Sequence, residues 1–225
     1  MSFETVDATV GRFTVSVIED DQYIGYTLRQ GLEWDGWMRK DLPWIYKPGT
    51  DIIDVGGNIG WNALMFSDYG PVHTFEPVYH SLITHNVAQN RDSLLNPIFT
   101  HPFGLSDAET STLMFKPLPD GAWCNYGGTS LTLTPRHAPE PIEVQLGRLD
   151  DVYNGQPSVM KLDVEGHEYE VLKGAERTIR EWHPALYVEI FGYDKSPIPE
   201  FLQGLGYSAQ ERPEHNYLFT WSNDS

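Results

Sequence analysis

The chain has 225 residues, enough for one α/β domain with a substantial core. Fifteen basic against 32 acidic side chains leave a formal charge of −17, a field that repels phosphate backbones and anionic lipid headgroups. Nucleic acid and membrane surfaces are therefore not expected partners, and no apolar run approaches the roughly 20 residues that cross a bilayer.

The opening "MSFETVDATV" is acidic and lacks the charged-then-apolar pattern of a secretory signal, so a soluble, cytoplasmic chain is expected. "GRFTVSVIED" alternates Phe13, Val15 and Val17 with small polar residues, which predicts a half-buried strand. The aromatic-rich "DQYIGYTLRQGLEWDGWM" is expected to be partly helical. From there a strand–helix rhythm sets in. Asp51–Val55 reads as a buried strand. Ile59, Ala63 and Phe66 place one helical face on it, and Gly70-Pro71 is expected to end that helix. "VHTFEP" is a second strand, followed by helix spacing from Tyr79 through Leu82, Ile83, Asn86, Val87 and Asn90. Residues 96–103 supply a third.

Residues 104 to 147 break the rhythm. "TSLTLT" and "PIEVQL" alternate with period two, a β excursion around the Pro/Gly-rich loop "PLPDGAWCNYGG". The rhythm returns with the strand "SVMKLDVEG" and a helix carrying Glu168, Leu172, Ala175 and Ile179 on one side. "ALYVEIFGY" is another strand, and "GYSAQERPEHNYLFTW" reads as two strands joined by a turn. The fold expected is α/β: a doubly wound, mostly parallel sheet with an antiparallel hairpin at its C-terminal edge. A single domain is expected, with residues 1–48 as an N-terminal extension and 49–222 as the core.

The junction "DIIDVGGNIGWNALMF" carries the first chemical signal. A G-x-G-x-x-G dinucleotide fingerprint fails here, because Asn58 and Trp61 stand where its second and third glycines belong. No Walker lysine follows, so a phosphate cradle is excluded. What remains is Asp54 ahead of Gly56, Gly57, Asn58 and Gly60. A carboxylate at the mouth of such a turn suits a cationic ligand, and S-adenosyl-L-methionine bears both an ammonium and a sulfonium. Glu76 closes the second strand, where neighbouring carboxyl ends face one crevice, and is placed to accept both hydroxyls of a ribose. The plainer alternatives are a helix cap for Asp54 and a solvated acid before a proline turn for Glu76.

"KLDVEGHE" puts Asp163, Glu165 and His167 on the same edge, and Glu189 closes the next strand in "YVEI". An alcohol acceptor must lose its proton, and His167 has the intrinsic pKa of a general base, with Asp163 or Glu165 orienting it or holding the acceptor. Alternatively His167 and Glu168 simply begin a helix. The same acids with Glu189 are compatible with a divalent cation, although no ligand spacing defines one. Cys124, the single cysteine, has no adjacent basic partner and is read as incidental. Trp123, Tyr126, Gly127 and Gly128 are candidates for a cover over the acceptor.

In that order, "DVGGNIGWNA", "VHTFEPV", "GLSD", "LDDV", "MKLDVEGHEYEVLKGAERTI" and "PALYVEI" resemble the motifs of FkbM-type S-adenosylmethionine-dependent methyltransferases, over about residues 50 to 192. The resemblance implies a class I methyltransferase (Rossmann-like) sheet of seven strands and methyl transfer mostly to hydroxyl oxygen, on sugars, glycans or other small molecules. It implies that Asp54, Gly56, Asn58 and Gly60 flank the methionine end of the cofactor, and that Glu76 binds the ribose. Ser106 and Asp107 in "GLSD" would lie near the adenine. Asp163, from its strand-end position, is itself expected at both cofactor and acceptor. "GGN" stands where the family more often has "GAN". The first 48 residues match poorly and are expected to carry specificity or an oligomer contact. Two alternatives remain: a catalytically silent cofactor-binding module, and an NAD-dependent oxidoreductase, against which the missing second glycine argues.

Overall fold

The computed structural model describes residues 4–114, 125–128 and 142–222. The chain begins with an antiparallel hairpin of Thr5–Val10 (β1) and Phe13–Ile18 (β2), turning on Gly11 at φ 59. β2 is the strand its alternation predicts. β1 is an addition, because the alternation of Val6, Ala8 and Val10 is hidden in an acidic composition. Ile24–Arg29 (α1), a 3₁₀ turn at Gly36–Lys40 and Leu42–Ile45 (α2) make up the partly helical stretch.

Asp51–Val55 (β3), Trp61–Phe66 (α3), Val72–Phe75 (β4), His80–Gln89 (α4) and Ile98–His101 (β5) are the first strand–helix units. α3 stops at Phe66, short of the Gly70-Pro71 stop expected. Ser67 donates its hydroxyl back to the Leu64 carbonyl at 2.6 Å, and Asp68 leaves the helix to pair with Arg12 and Arg39. Gly104–Leu105 (β6), Thr110–Met114 (β7) and Ile142–Gly147 (β8) form the β excursion, a separate sheet in the order β6-β8-β7. The "TSLTLT" strand, Trp123 and Cys124 lie outside the described residues.

Leu149–Val152 (α5), Pro157–Leu162 (β9), Glu168–Gly174 (α6), Glu176–Trp182 (α7) and Ala185–Glu189 (β10) restore the rhythm. Ile198–Gly204 (α8), not anticipated from the sequence, precedes the expected hairpin of Tyr207–Glu211 (β11) and Asn216–Trp221 (β12). The single helix expected from Glu168 to Ile179 is two helices broken at Ala175. A long-range cap explains the break. The Asp150 carboxylate accepts the N–H groups of Arg177 (2.8 Å) and Thr178 (2.9 Å), so α7 starts afresh with its own satisfied first turn.

The main sheet has seven strands in the order β11-β12-β10-β9-β3-β4-β5. β10, β9, β3, β4 and β5 run parallel, and β12 runs antiparallel to both β10 and β11. Strand order therefore reverses between β3 and β9, where an open α/β sheet leaves a crevice at its carboxyl edge. β9 is buried along its whole length, as a central parallel strand must be. The N-terminal hairpin is fixed beside that crevice by polar pairs. Asn86 on α4 and Asn90 at its C-cap accept the backbone N–H groups of Ser16 (2.8 Å) and Thr14 (2.9 Å). Phe13, Val15 and Val17 then share a buried cluster with Ile59, Trp61 and Tyr79. Among the described residues no helix is long and apolar enough to cross a membrane.

Candidate active site

After β3 the chain turns through Gly56 at φ 83, Asn58 at φ 49 and Gly60 at φ 88 before entering α3. Gly56 and its neighbour Gly57 are demanded by the adjacent segments of chain. A Cβ on Gly56 would lie 1.8 Å from the Asp163 carbonyl oxygen, and one on Gly57 would lie 2.1 Å from Thr74 Oγ1. Glu76, at the end of β4, braces the turn by accepting N–H bonds from Asn58 (3.0 Å), Val78 (2.7 Å) and Tyr79 (3.0 Å). A carboxylate has about four lone-pair sites. With three in use, Glu76 has room for one ribose hydroxyl, not the two expected. Burial pushes its pKa up, against the pull of the Tyr79, Val78 and Asn58 N–H groups.

Asp54 sits one layer below. It is fully buried, accepts the Thr74 hydroxyl at 3.0 Å, and does not line the cavity above the turn. The side chain of an inner strand residue points into the protein here, so the direct contact expected between Asp54 and a ligand ammonium is not what the geometry offers. Burial raises its pKa, and the Lys161 charge opposes that rise.

Strand alternation puts Lys161 and Asp163 on one side of β9, with Lys161 Nζ 3.0 Å from Asp163 Oδ2. Lys161 is only 2% exposed. Burial works against its charge, but Asp163, Asp54 and Asp35 outweigh burial and hold it more firmly protonated than an ordinary lysine. Glu165 follows in a left-handed conformation at φ 54. Burial pushes its pKa up to about 7, reinforced by Asp163 and Glu168 and opposed by Lys161. Glu189, at the end of β10, is also pushed up, by burial first and then by Asp163 and Glu165. Its Oε2 is buried with no hydrogen-bond partner among the described residues. One oxygen each of Asp163, Glu165 and Glu189 fall within 4.8 Å of one another.

His167 caps α6 and is held from both sides. Its Nε2 lies 2.9 Å from Ser106 Oγ, and its Nδ1 lies 3.7 Å from Glu170. Burial lowers its pKa, with Glu170 and Asp107 opposing. Glu168 accepts the N–H groups of Val164 (3.0 Å) and Gly166 (3.1 Å), fixing the loop that carries Glu165. Both residues therefore begin a helix, as the plainer reading had it, while His167 also reaches the cavity.

That cavity, about 320 Å³, lies over the carboxyl ends of β3, β4, β9 and β10. Of the residues singled out in the sequence, Gly56, Gly57, Asn58, Glu76, Asp163, Glu165, His167 and Glu189 line it. Asp54, Gly60, Ser106 and Asp107 do not. Ser106 is buried behind His167, and Asp107 faces outward onto Lys173 at 2.7 Å. Gly127 of the expected cover does line the cavity, while the Tyr126 hydroxyl donates to Asp20 at 3.0 Å. The extension contributes Tyr23, Ile24 and Trp34 to the wall. Sequence reasoning missed Lys161, Phe191, Glu214 and His215. Lys161 was detectable two residues before Asp163. Glu214 and His215 both sit at positive φ in the β11–β12 turn, a placement with no local sequence signal.

A mostly parallel seven-stranded sheet, a glycine turn at its reversal point and an acid closing the adjacent strand define a class I methyltransferase fold. Residues 54–209 match the Methyltransferase FkbM domain, and the chain belongs to that family. It is 28% identical over 158 residues to the hexuronic acid methyltransferase AglP of Haloferax volcanii, covering 70% of this chain and 63% of that protein. The chain thus spans less than two thirds of that relative. The fold is shared with the crystal structure of a methyltransferase FkbM from Methylobacillus flagellatus KT, at a TM-score of 0.53 and 18% identity. That match covers 76% of this chain and 43% of the other. The family is one of methyltransferases, which leaves the oxidoreductase alternative without support.

Proposed function

We propose that the protein transfers a methyl group from S-adenosyl-L-methionine to a hydroxyl oxygen on a sugar, glycan or similar small metabolite. The observation that carries this reading is the meeting of the glycine turn, Glu76 and the Asp163, Glu165 and Glu189 carboxylates in one cavity. The residues present fit the cofactor. Gly56 and Gly57 line the cavity with backbone, and Asn58 Oδ1 is buried with no partner among the described residues, ready for a donor. Glu76 would take one ribose hydroxyl, and Phe75, Leu105 and Leu146 would flank the base. When bound, the cofactor supplies an electrophilic methyl group on its sulfonium.

The chain's part is to position the acceptor and remove its proton. Asp163 and Glu189 are assigned to orienting the acceptor, and Glu165 to accepting the hydroxyl proton. Its pKa near 7 suits a general base at neutral pH, a role that contributes roughly 10²–10⁴-fold. His167, whose Nε2 is engaged by Ser106, is assigned to holding the wall. The name of the AglP relative supports a sugar acceptor.

Isothermal titration with S-adenosylhomocysteine tests the cofactor half. Micromolar binding is expected, weakened about tenfold or more by Glu76→Ala through loss of a charge-assisted bond. No binding at millimolar ligand would remove the proposal. Incubating a carbohydrate extract with the protein and deuteromethyl-labelled cofactor tests the acceptor half, with a labelled methyl ether as the expected product.

A further inference from the structure

Resting on that reading, we propose that the acceptor carries a primary ammonium group beside the reacting hydroxyl, and that the site discriminates against uronates and phosphorylated sugars. The charge of the cavity wall carries this. Glu76, Asp163, Glu165, Glu189 and Glu214 face the cavity, and among the described residues Lys161 is its sole lysine or arginine. Lys161 is already committed, at 3.0 Å from Asp163 and beneath the influence of Asp54 and Asp35. The cofactor's single net positive charge offsets one carboxylate; Glu165 and Glu189, held toward their neutral forms by burial, are the groups that a further cation would ionise and a further anion could not.

Geometry favours an ammonium over a further hydroxyl. A hydroxyl donates one hydrogen, whereas an ammonium donates three. Three carboxylate oxygens of Asp163, Glu165 and Glu189 stand within 4.8 Å of one another, and the buried Glu189 Oε2 has no donor among the described residues. Burial and mutual repulsion already push Glu165 and Glu189 up; a third anion would worsen this, and a cation relieves it. A second feature points to a ring-shaped acceptor. Phe191 is 61% exposed although it lines the cavity, and its ring lies against His215 at 5.1 Å. Such a platform suits the C–H face of a pyranose. The acceptor inferred here differs in charge from the one named for the AglP relative.

The test compares three methyl glycosides that differ in one group: methyl glucosaminide, methyl glucoside and methyl glucuronide. Their binding to the S-adenosylhomocysteine-loaded protein is followed by saturation-transfer NMR, with EDTA present so that no divalent ion stands in for the ammonium. The amine is expected to bind tightest and the uronate at least about tenfold more weakly. Glu189→Gln, nearly isosteric, is expected to narrow that gap. A uronate that binds as tightly as the amine, an amine that does not bind, or a gap unchanged by Glu189→Gln would each overturn the proposal. Loading the protein separates this from the underlying reading: failure to bind S-adenosylhomocysteine removes both, whereas normal loading without amine preference removes only the acceptor inference.

Discussion

Gly56 and Asp163 meet backbone to backbone, so closely that a Cβ on Gly56 would lie 1.8 Å from the Asp163 carbonyl oxygen. The contact sits on the β3–β9 seam, where the Asp163 N–H also donates to the Val55 carbonyl at 3.1 Å. One junction therefore closes the sheet and sets the distance between the turn and the carboxylates. Gly56→Ala is expected to strain a φ of 83 and push β9 away. The left-handed conformation alone costs about 1–2 kcal/mol, and the displaced carbonyl adds to it. Urea denaturation should show a loss of at least about 2 kcal/mol, together with weakened S-adenosylhomocysteine binding. A variant with the parent's midpoint would show that the seam is slack.

Glu76 braces the turn in addition to the ribose contact proposed for it. Glu76→Ala leaves the Asn58, Val78 and Tyr79 N–H groups without their acceptor, at a cost of about 1–3 kcal/mol in all once water reaches the turn. Glu76→Gln keeps one acceptor oxygen and should recover most of that stability while leaving cofactor affinity reduced. Thermal unfolding and titration calorimetry on both variants separate the two effects. Equal affinity loss without any difference in stability would contradict the bracing role.

The parts of this molecule that follow period and punctuation were legible in the sequence. β3, β4 and β9 are apolar runs ending at glycine or acid, and their shared carboxyl edge follows from parallel topology, so Gly56, Glu76 and Asp163 could be placed together. What a sequence hides is which way a side chain faces and what it already bonds. Asp54 reads as a ligand contact until its side chain is seen fully buried outside the cavity lining, with one oxygen taken by Thr74 from β4. Ser106 and Asp107 read as cofactor residues, but a Cβ on Gly174 would meet the Ser106 carbonyl oxygen at 1.9 Å, and Lys173 draws Asp107 outward. The break at Ala175 depends on Asp150, 25 residues earlier by number, and no local pattern reports such a cap. His215 reaches the cavity only because β11 and β12 fold back onto β10.

Lys161 holds the acids around it in check, and removing it should expose their repulsion. Lys161→Met keeps the volume and deletes the charge that faces Asp163, Asp54 and Asp35. Breaking a buried ion pair on one side costs about 3–5 kcal/mol. Without that opposing charge Asp54 and Asp35, already raised by burial, are held protonated more readily in the folded than in the unfolded state, so the variant's stability should rise as pH is lowered from about 8 to about 5. Urea midpoints across that range test this. A variant as stable as the parent at about pH 8 would mean that Lys161 balances nothing.

Glu165 offers the sharpest pH signature. Its folded-state pKa is raised from 4.5 to about 7, burial being the main cause. Below 4.5 both states are protonated and the group is neutral to stability. As pH rises from 4.5 to about 7 the unfolded chain releases the proton first, so the folded state loses stability across that window and levels off above it. Allowing for partial exposure, the loss is about 1–2 kcal/mol. Glu165→Gln removes the titration, so it should be more stable than the parent by that amount at about pH 8 and indistinguishable from it near pH 4.5. The same substitution removes the assigned base and should slow turnover by roughly 10²–10⁴-fold. Stability gained where activity is lost is the signature of a carboxylate kept under strain for its chemistry. Denaturation midpoints at four pH values, set beside methyl-transfer rates, decide it: an unchanged pH slope removes the buried-acid account, and unchanged turnover assigns the proton to another group.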